Sequence, residues 1–270
     1  MIAFIRILAR LVLAVLPVAV PLAASAQGGS IGVVVMHGKS GSPTGLVAGL
    51  ARTLEERGHL VANIEMPWSG SRHYDVPVSR AEAEVESALA GLRGKGAKKV
   101  FVAGHSQGGA FAAHLAGRLA VDGVIVIAPG GNVDHFFFRE KVRDPLARAR
   151  RLIADGKGGE PAKLEDFEGA KGMFPVVTTP AVYVTWFDPE GAMNMDRAVR
   201  AANPATPILW IVPSGELPGL RKTNIPMFRS LPAHPLTRFY EPASDHRSAP
   251  TASAEEIARW IREVAGAAGS

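Results

Sequence analysis

The sequence contains no cysteine. That absence excludes disulfides, thiolate metal sites and lipid attachment through an amino-terminal cysteine. The eight histidines show no H-x-x-x-H spacing, so no metal site is indicated. The glycine-rich turns lack both the lysine of a P-loop and the G-x-G-x-x-G context of a dinucleotide site, and no cofactor is expected. Aromatic residues make up only 7% of the chain, and no dense Lys/Arg stripe interleaves with them. Nucleic acid is therefore not an expected partner. The apolar run Leu11 to Ala23 is short and broken by Pro17 and Pro21, which argues against a permanent membrane span in the mature chain.

What is present begins with a three-part leader. Arg6 and Arg10 precede that apolar run, and Ala24-Ser25-Ala26 forms a small-x-small cleavage site before Gln27. Residues 1–26 read as a secretory signal peptide, which makes the protein an exported one, periplasmic or secreted. The formal net charge of +5 falls to +3 without the two leader arginines. A mildly basic surface of this kind meets anionic envelope surfaces without specificity. The remaining residues 27–270 are of ordinary length and composition for one domain with a sizeable core. Nothing in them specifies an oligomeric state.

Ile31 to Met36, Leu60 to Ile64, Val100 to Ala103 and Gly123 to Ala128 are short apolar runs rich in β-branched residues. Such runs read as strands buried on both faces. Helical patterns separate them. The first follows Ser42-Pro43 as an N-cap and first-turn proline through Leu46, Leu50 and Leu54. The second opens on the capping box Ser79-Arg80-Ala81-Glu82, and the third runs from about Gln107 to Leu119. This alternation predicts an α/β fold with a mostly parallel central sheet flanked by helices. Residues 132–206 break the rhythm with helix-prone stretches at 139–153, 179–186 and 193–202, and read as a helical lid inserted over the sheet. Pro207 to Val212 and Leu236 to Tyr240 resume the strands, and Ser253-Ala254-Glu255-Glu256 caps a closing amphipathic helix.

The third strand runs into Gly104-His105-Ser106-Gln107-Gly108 and then directly into a helix. This sets a serine at the tip of a sharp strand-to-helix turn, where side chains at Gly104 or Gly108 would collide and the helix N-terminus favours negative charge. A serine so placed is a candidate nucleophile, which needs a base, a group to orient that base, and donors for an oxyanion.

With His37-Gly38 after an early strand, Gly104-His105-Ser106-Gln107-Gly108 after a middle one and His246 after the last, the sequence resembles the α/β-hydrolase family over roughly residues 31–130 and 207–265. The resemblance implies a serine hydrolase of the esterase or lipase kind, acting through an acyl-enzyme on a small-molecule or lipid-like ester. Thioester, amide or perhydrolysis chemistry on the same residues, or a non-catalytic binding protein on this scaffold, are the alternatives. It implies Ser106 as nucleophile and His246 as base, in the family's chain order of nucleophile, acid, histidine. The acid position after the penultimate strand holds Glu216 where an aspartate is usual, with Asp134 and Asp188 as alternatives. It further implies an oxyanion hole from the backbone N–H groups of Lys39 and Gln107, the Lys39 side chain being either exposed or a positive charge at the pocket mouth. His37, Trp68, His105 and Trp186 are candidates for the substrate pocket, as are His73, Phe136, Phe137 and Phe138, with core packing an equal alternative for the aromatics. His37 is also placed to hold the shape of its loop.

Overall fold

The computed structural model describes residues 30–169 and 171–267. The expected signal peptide lies outside the described residues. Two regular βα units come first: β1 (Ile31–Met36), α1 (Ala48–Glu56), β2 (Leu60–Ile64) and α2 (Val78–Gly94). Then follow β3 (Lys99–His105), α3 (Gln107–Leu115) and β4 (Gly123–Ile127). The next segment holds α4 (Phe136–Ala154), β5 (Ala162–Glu168), β6 (Gly172–Thr178), α5 (Pro180–Phe187) and α6 (Met195–Ala201). The chain closes with β7 (Ile208–Ile211), α7 (Pro218–Arg229), β8 (Arg238–Tyr240), α8 (Ala249–Ala252) and α9 (Ala254–Ala267).

Six strands form one parallel sheet in the order β2-β1-β3-β4-β7-β8. Its inner strands are apolar on both faces because both faces are covered. Val33, Val35, Phe101, Ala103, Ile125 and Ile127 pack with Leu50 and Leu54 of α1 and with Ile257, Trp260 and Ile261 of α9. The alternate residues Val34, Met36, Val100, Val102, Val124 and Val126 pack on the other face with α2, α3 and the segment between β4 and β7. Each large apolar side chain buried there stabilises the fold by roughly 1.5–3 kcal/mol.

Several local expectations need correction. The first helix begins at Ala48, not at Ser42-Pro43, and its N-cap Val47 makes no side-chain cap. Ser42 Oγ instead meets Thr44 Oγ1 in a turn. Ser79 does not cap α2, whose N-cap is Pro77 in extended conformation. Ser253 Oγ is buried and makes no hydrogen bond among the described residues, so the second capping box is not formed either. Helix α7 was not legible because Pro218, Gly219 and Pro226 read as breakers, yet Pro218 sits in the first turn, where no intrahelical N–H is missed. The insertion is not purely helical. β5 (Ala162–Glu168) and β6 (Gly172–Thr178) pair as an antiparallel hairpin, with Gly172, opposite Glu168, at φ +75°. Its charged residues and Pro175 concealed the alternation that buries Leu164 and Asp166 on one face.

The turn after β3 is the tightest place in the sheet. Ser106 has φ +55°, in the left-handed region that non-glycine residues rarely adopt. A Cβ on Gly104 would stand 1.9 Å from the Gly108 carbonyl oxygen, and one on Gly108 would stand 2.7 Å from the Met36 and His37 carbonyls. Gly104→Ala is therefore expected to destabilise the fold by about 3 kcal/mol or more. Gly91→Ala, on an open helical surface with nothing within 4 Å, is expected to stabilise by about 0.5–1 kcal/mol. Thermal or urea unfolding of the two variants beside the parent measures both.

Candidate active site

The turn presents Ser106 Oγ at the carboxyl end of the central strands. Its N–H donates to the Ile127 carbonyl at 2.9 Å, and its own carbonyl accepts from Ala110 and Gly130, so the strained residue is held on both sides. The loops after β7 and β8 arrive from the neighbouring edge. They are tied together by Ser214 N–H to the Pro242 carbonyl, by Gly215 N–H to the Ser244 carbonyl, and by a parallel bridge between Gly215 and Asp245. This pairing sets Glu216 and His246, thirty positions apart in sequence, side by side.

The three groups form a chain of hydrogen bonds. Ser106 Oγ–H donates to His246 Nε2 at 3.1 Å. His246 Nδ1–H donates to Glu216, at 2.8 Å to Oε1 and 3.0 Å to Oε2. That tautomer follows from the partners, since a carboxylate can only accept. The Glu216 side chain is fully buried, and Oε1 also accepts the Leu217 N–H at 2.8 Å. A buried carboxylate beneath an imidazole fixes the orientation of the ring. Asp134 and Asp188 are occupied elsewhere. Asp134 accepts from Arg139 at 3.1 Å, and Asp188 from Arg150 at 3.0 Å and from the Glu190 N–H. Asp245 accepts the Ser248 N–H at 2.7 Å and does not serve its neighbouring imidazole.

The loop after β1 lies against the serine, for a Cβ on Gly38 would stand 3.1 Å from Ser106 Cβ. His37 shapes this loop. Its Nδ1–H donates to the Gly38 carbonyl at 2.8 Å and its Nε2 accepts the Met66 N–H at 3.0 Å. Burial, its largest influence, lowers the His37 pKa, so the ring stays neutral in these two roles. Trp68 Nε1–H donates to the His37 carbonyl at 2.8 Å, and Ser40 N–H donates to the Trp68 carbonyl at 2.9 Å. The Gln107 N–H is the first of α3 and has no intrahelical acceptor. The Lys39 N–H takes no part in the backbone bonds that close its own loop. Gln107 directly follows Ser106, and Lys39 follows Gly38, the residue that lies against it.

Of the side chains named as pocket candidates, the indoles take the alternative of core packing. His37, Trp68, His105 and Trp186 are all buried. Trp186 Nε1–H donates to the Val76 carbonyl, and Trp68 and Trp186 pack edge to face at 5.7 Å between ring centroids. Both indoles belong to the buried apolar cluster on the sheet face that carries α2 and α3. Phe138 is buried as well, whereas Phe136 and Phe137 are exposed, at 76% and 52%. Lys39 is neither exposed nor a free charge at the mouth. Its side chain turns under the β5–β6 hairpin and binds Asp166 at 2.7 Å.

His105 has a role that its position inside the turn did not reveal. Its Nε2–H donates to the His246 carbonyl at 2.8 Å, and the two rings lie 5.0 Å apart. Burial above all, then the neighbouring His246, pushes its pKa down to about 3. It remains neutral, so it braces the His246 loop without adding a second positive charge. Two further groups, Asp166 and Tyr74, escaped the sequence reading. Tyr74 O–H donates to Asp166 Oδ2 at 2.8 Å, and burial raises the Tyr74 pKa well above its ordinary value, which keeps the proton on the phenol. Asp166 would have been found only by recognising it as the partner of Leu164 on the inner face of a hairpin.

Among the described residues no group of three or more His, Asp or Glu side chains is placed to hold a metal ion, and no helix is long and apolar enough to cross a membrane. A cavity of about 500 Å³ opens between α2, α3, α5 and α6, lined by Val78, Glu82, His114 and Asn194 among others. Ser106 is not among its lining residues.

A model of the alpha/beta hydrolase family matches residues 33–267. No curated protein matches the sequence. Among solved structures, one reported for two metagenome-derived lipolytic enzymes is 18% identical, with 87% of this chain and 95% of that chain covered and a TM-score of 0.60. DcsB, solved with a substrate analogue, is 17% identical over 89% of this chain and 92% of its own, at a TM-score of 0.63. A monoacylglycerol lipase from Paleococcus ferrophilus is 17% identical over 87% and 94%, at 0.56. These likenesses are of fold.

The neutral state of His105 carries a pH dependence. With its folded pKa near 3 and an unfolded value of about 6.5, the unfolded chain binds the extra proton between those limits. Stability from this group is present above about pH 6.5 and is lost as pH falls toward 3. His37, lowered in the same direction, adds to the slope. Urea unfolding at steps from pH 7 to 4 should show falling stability, with a shallower slope in His105→Asn.

Proposed function

This chain belongs to the alpha/beta hydrolase family, and within it we propose a serine hydrolase that cleaves carboxylic esters through an acyl-enzyme. The observation that carries this reading is the hydrogen-bonded chain from Ser106 through His246 to Glu216, at 3.1 and 2.8 Å. Ser106 Oγ attacks the ester carbonyl while His246 Nε2 takes its proton. The Glu216 carboxylate stabilises the imidazolium that results. The tetrahedral oxyanion rests on the backbone N–H groups of Lys39 and Gln107, which carry partial positive charge without needing to reorganise. His246 then returns the proton to the departing alkoxide. A water activated by the same ring attacks the acyl-serine and releases the acid, restoring Ser106.

The surroundings favour an apolar, lipid-like ester. Ser106 Oγ and the methyl groups of Leu220 both lie within 4 Å of the position a Cβ at Gly130 would take. Leu217, Phe136 and Phe137 are exposed nearby in sequence to Glu216 and to the Gly130 turn. Residues 132–206 serve in this reading as a lid, anchored by the aromatic packing of Trp186, Tyr74, Phe187 and Phe138. The leader residues 1–26 direct the enzyme to the periplasm or the medium, a reading supported by Arg6, Arg10 and Ala24-Ser25-Ala26.

The test is a fluorophosphonate probe with mature protein, followed by p-nitrophenyl esters of increasing chain length. Wild type should label and Ser106→Ala should not, and a folded wild type that stays unlabelled sinks the reading. Glu216→Ala should lower kcat by roughly 10³–10⁴-fold. Asp134→Ala and Asp188→Ala should stay within about threefold of wild type, since neither carboxylate bonds to His246. Full activity in Glu216→Ala would move the acid role elsewhere.

A further inference from the structure

The Lys39 side chain reaches out of its loop into the insertion. Its Nζ donates to Asp166 Oδ1 at 2.7 Å and to the Phe167 carbonyl at 3.0 Å, and it stands 4.9 Å from the centre of the Phe138 ring. The Lys39 side chain is 8% exposed and that of Asp166 is 0%. The rest of the carboxylate is used too, by the Phe167 N–H on Oδ1 and by Tyr74 O–H on Oδ2. Thr178 Oγ–H on the facing strand donates to the Tyr74 carbonyl, which closes the arrangement.

A charge pair buried this completely adds little net stability, because desolvation offsets most of the attraction. An apolar pair of similar volume would fill the same space at least as well. What an apolar pair would lack is direction. The hydrogen bonds fix Lys39 along one line, and Lys39 sits in a strained loop: its neighbour Ser40 has φ +53°, and a Cβ on Gly41 would stand 2.9 Å from the Gly38 carbonyl. The other bonds of residues 37–41 stay within the loop or go to Met66 and Trp68. Among the described residues, only the Lys39 side chain is hydrogen-bonded from this loop to the hairpin. Because Asp166 neutralises it, the ammonium is no anchor for an acidic substrate.

We propose that Lys39 and Asp166 are positioning residues, whose buried ion pair sets the Lys39 backbone N–H at the oxyanion and so makes the β5–β6 hairpin part of the reaction machinery. The inference rests on the serine-hydrolase reading above. Displacement of one donor by a fraction of an ångström weakens only what forms in the transition state, so kcat should fall while ground-state binding persists.

The test compares wild type, Asp166→Asn and the double variant Lys39→Met/Asp166→Leu, which removes both charges together. Circular dichroism and thermal unfolding establish the fold of each. Fluorophosphonate labelling of wild type establishes the reading itself, and its failure overturns both proposals. The expected result is a folded double variant with kcat on a short-chain ester lowered roughly 10- to 100-fold and KM within about twofold. Its affinity for a boronic acid that forms a tetrahedral serine adduct should fall in step with kcat/KM. Unchanged kcat in the folded double variant, with wild type labelled, overturns the positioning role alone. So does a loss of kcat that merely follows a lowered unfolding temperature. If the double variant does not fold, the isosteric Asp166→Asn decides by the same split between kcat and KM.

Discussion

Everything at the candidate site depends on how closely the backbone after β3 approaches the helix that follows it. Gly104 and Gly108 touch where no side chain could stand, and the first loop's carbonyls press on Gly108 from the other side. That contact bends Ser106 into a left-handed conformation and leaves its hydroxyl proud of the sheet. The parallel sheet supplies the rigidity that maintains such a conformation. Its strands are buried on both faces, and the strain at one residue is small beside the burial of dozens of apolar side chains.

Around that serine the fold collects groups from separate parts of the chain, each held by more than one bond. His246 is oriented from below by Glu216 and through its backbone by His105. His105 can brace the loop because burial keeps it uncharged. The loop after β1 is shaped by a neutral His37 and an indole hydrogen bond from Trp68. One neutral histidine thus braces the loop of His246, which must gain and lose a proton in the proposed reaction, and another shapes the loop after β1.

The segment between β4 and β7 is joined to the core by directional contacts as well as by packing. Trp186, Tyr74 and Thr178 bond across to backbone or side-chain partners, and Asp166 reaches the loop beside Ser106. The segment is thereby tied to the loop after β1. Its exposed phenylalanines, Phe136 and Phe137, lie at the start of α4, just past the turn that carries Gly130.

Periodicity and glycine placement in the sequence were enough for the parallel sheet, for most of its helices and for the elbow around Ser106, because those features are local: a buried strand, a sharp turn and an amphipathic helix each leave a mark within a few residues. Proline-bearing α7 and the charged hairpin left no such mark, since their stability comes from what they pack against. The pairing of Glu216 with His246 required the bridge between two loops, and the burial of Lys39 required a carboxylate on a distant hairpin. Ser106 and its turn were therefore determined by the sequence alone. Which carboxylate reaches His246, and where the Lys39 charge goes, was decided only by tertiary structure, because both depend on distances between segments that no local pattern encodes.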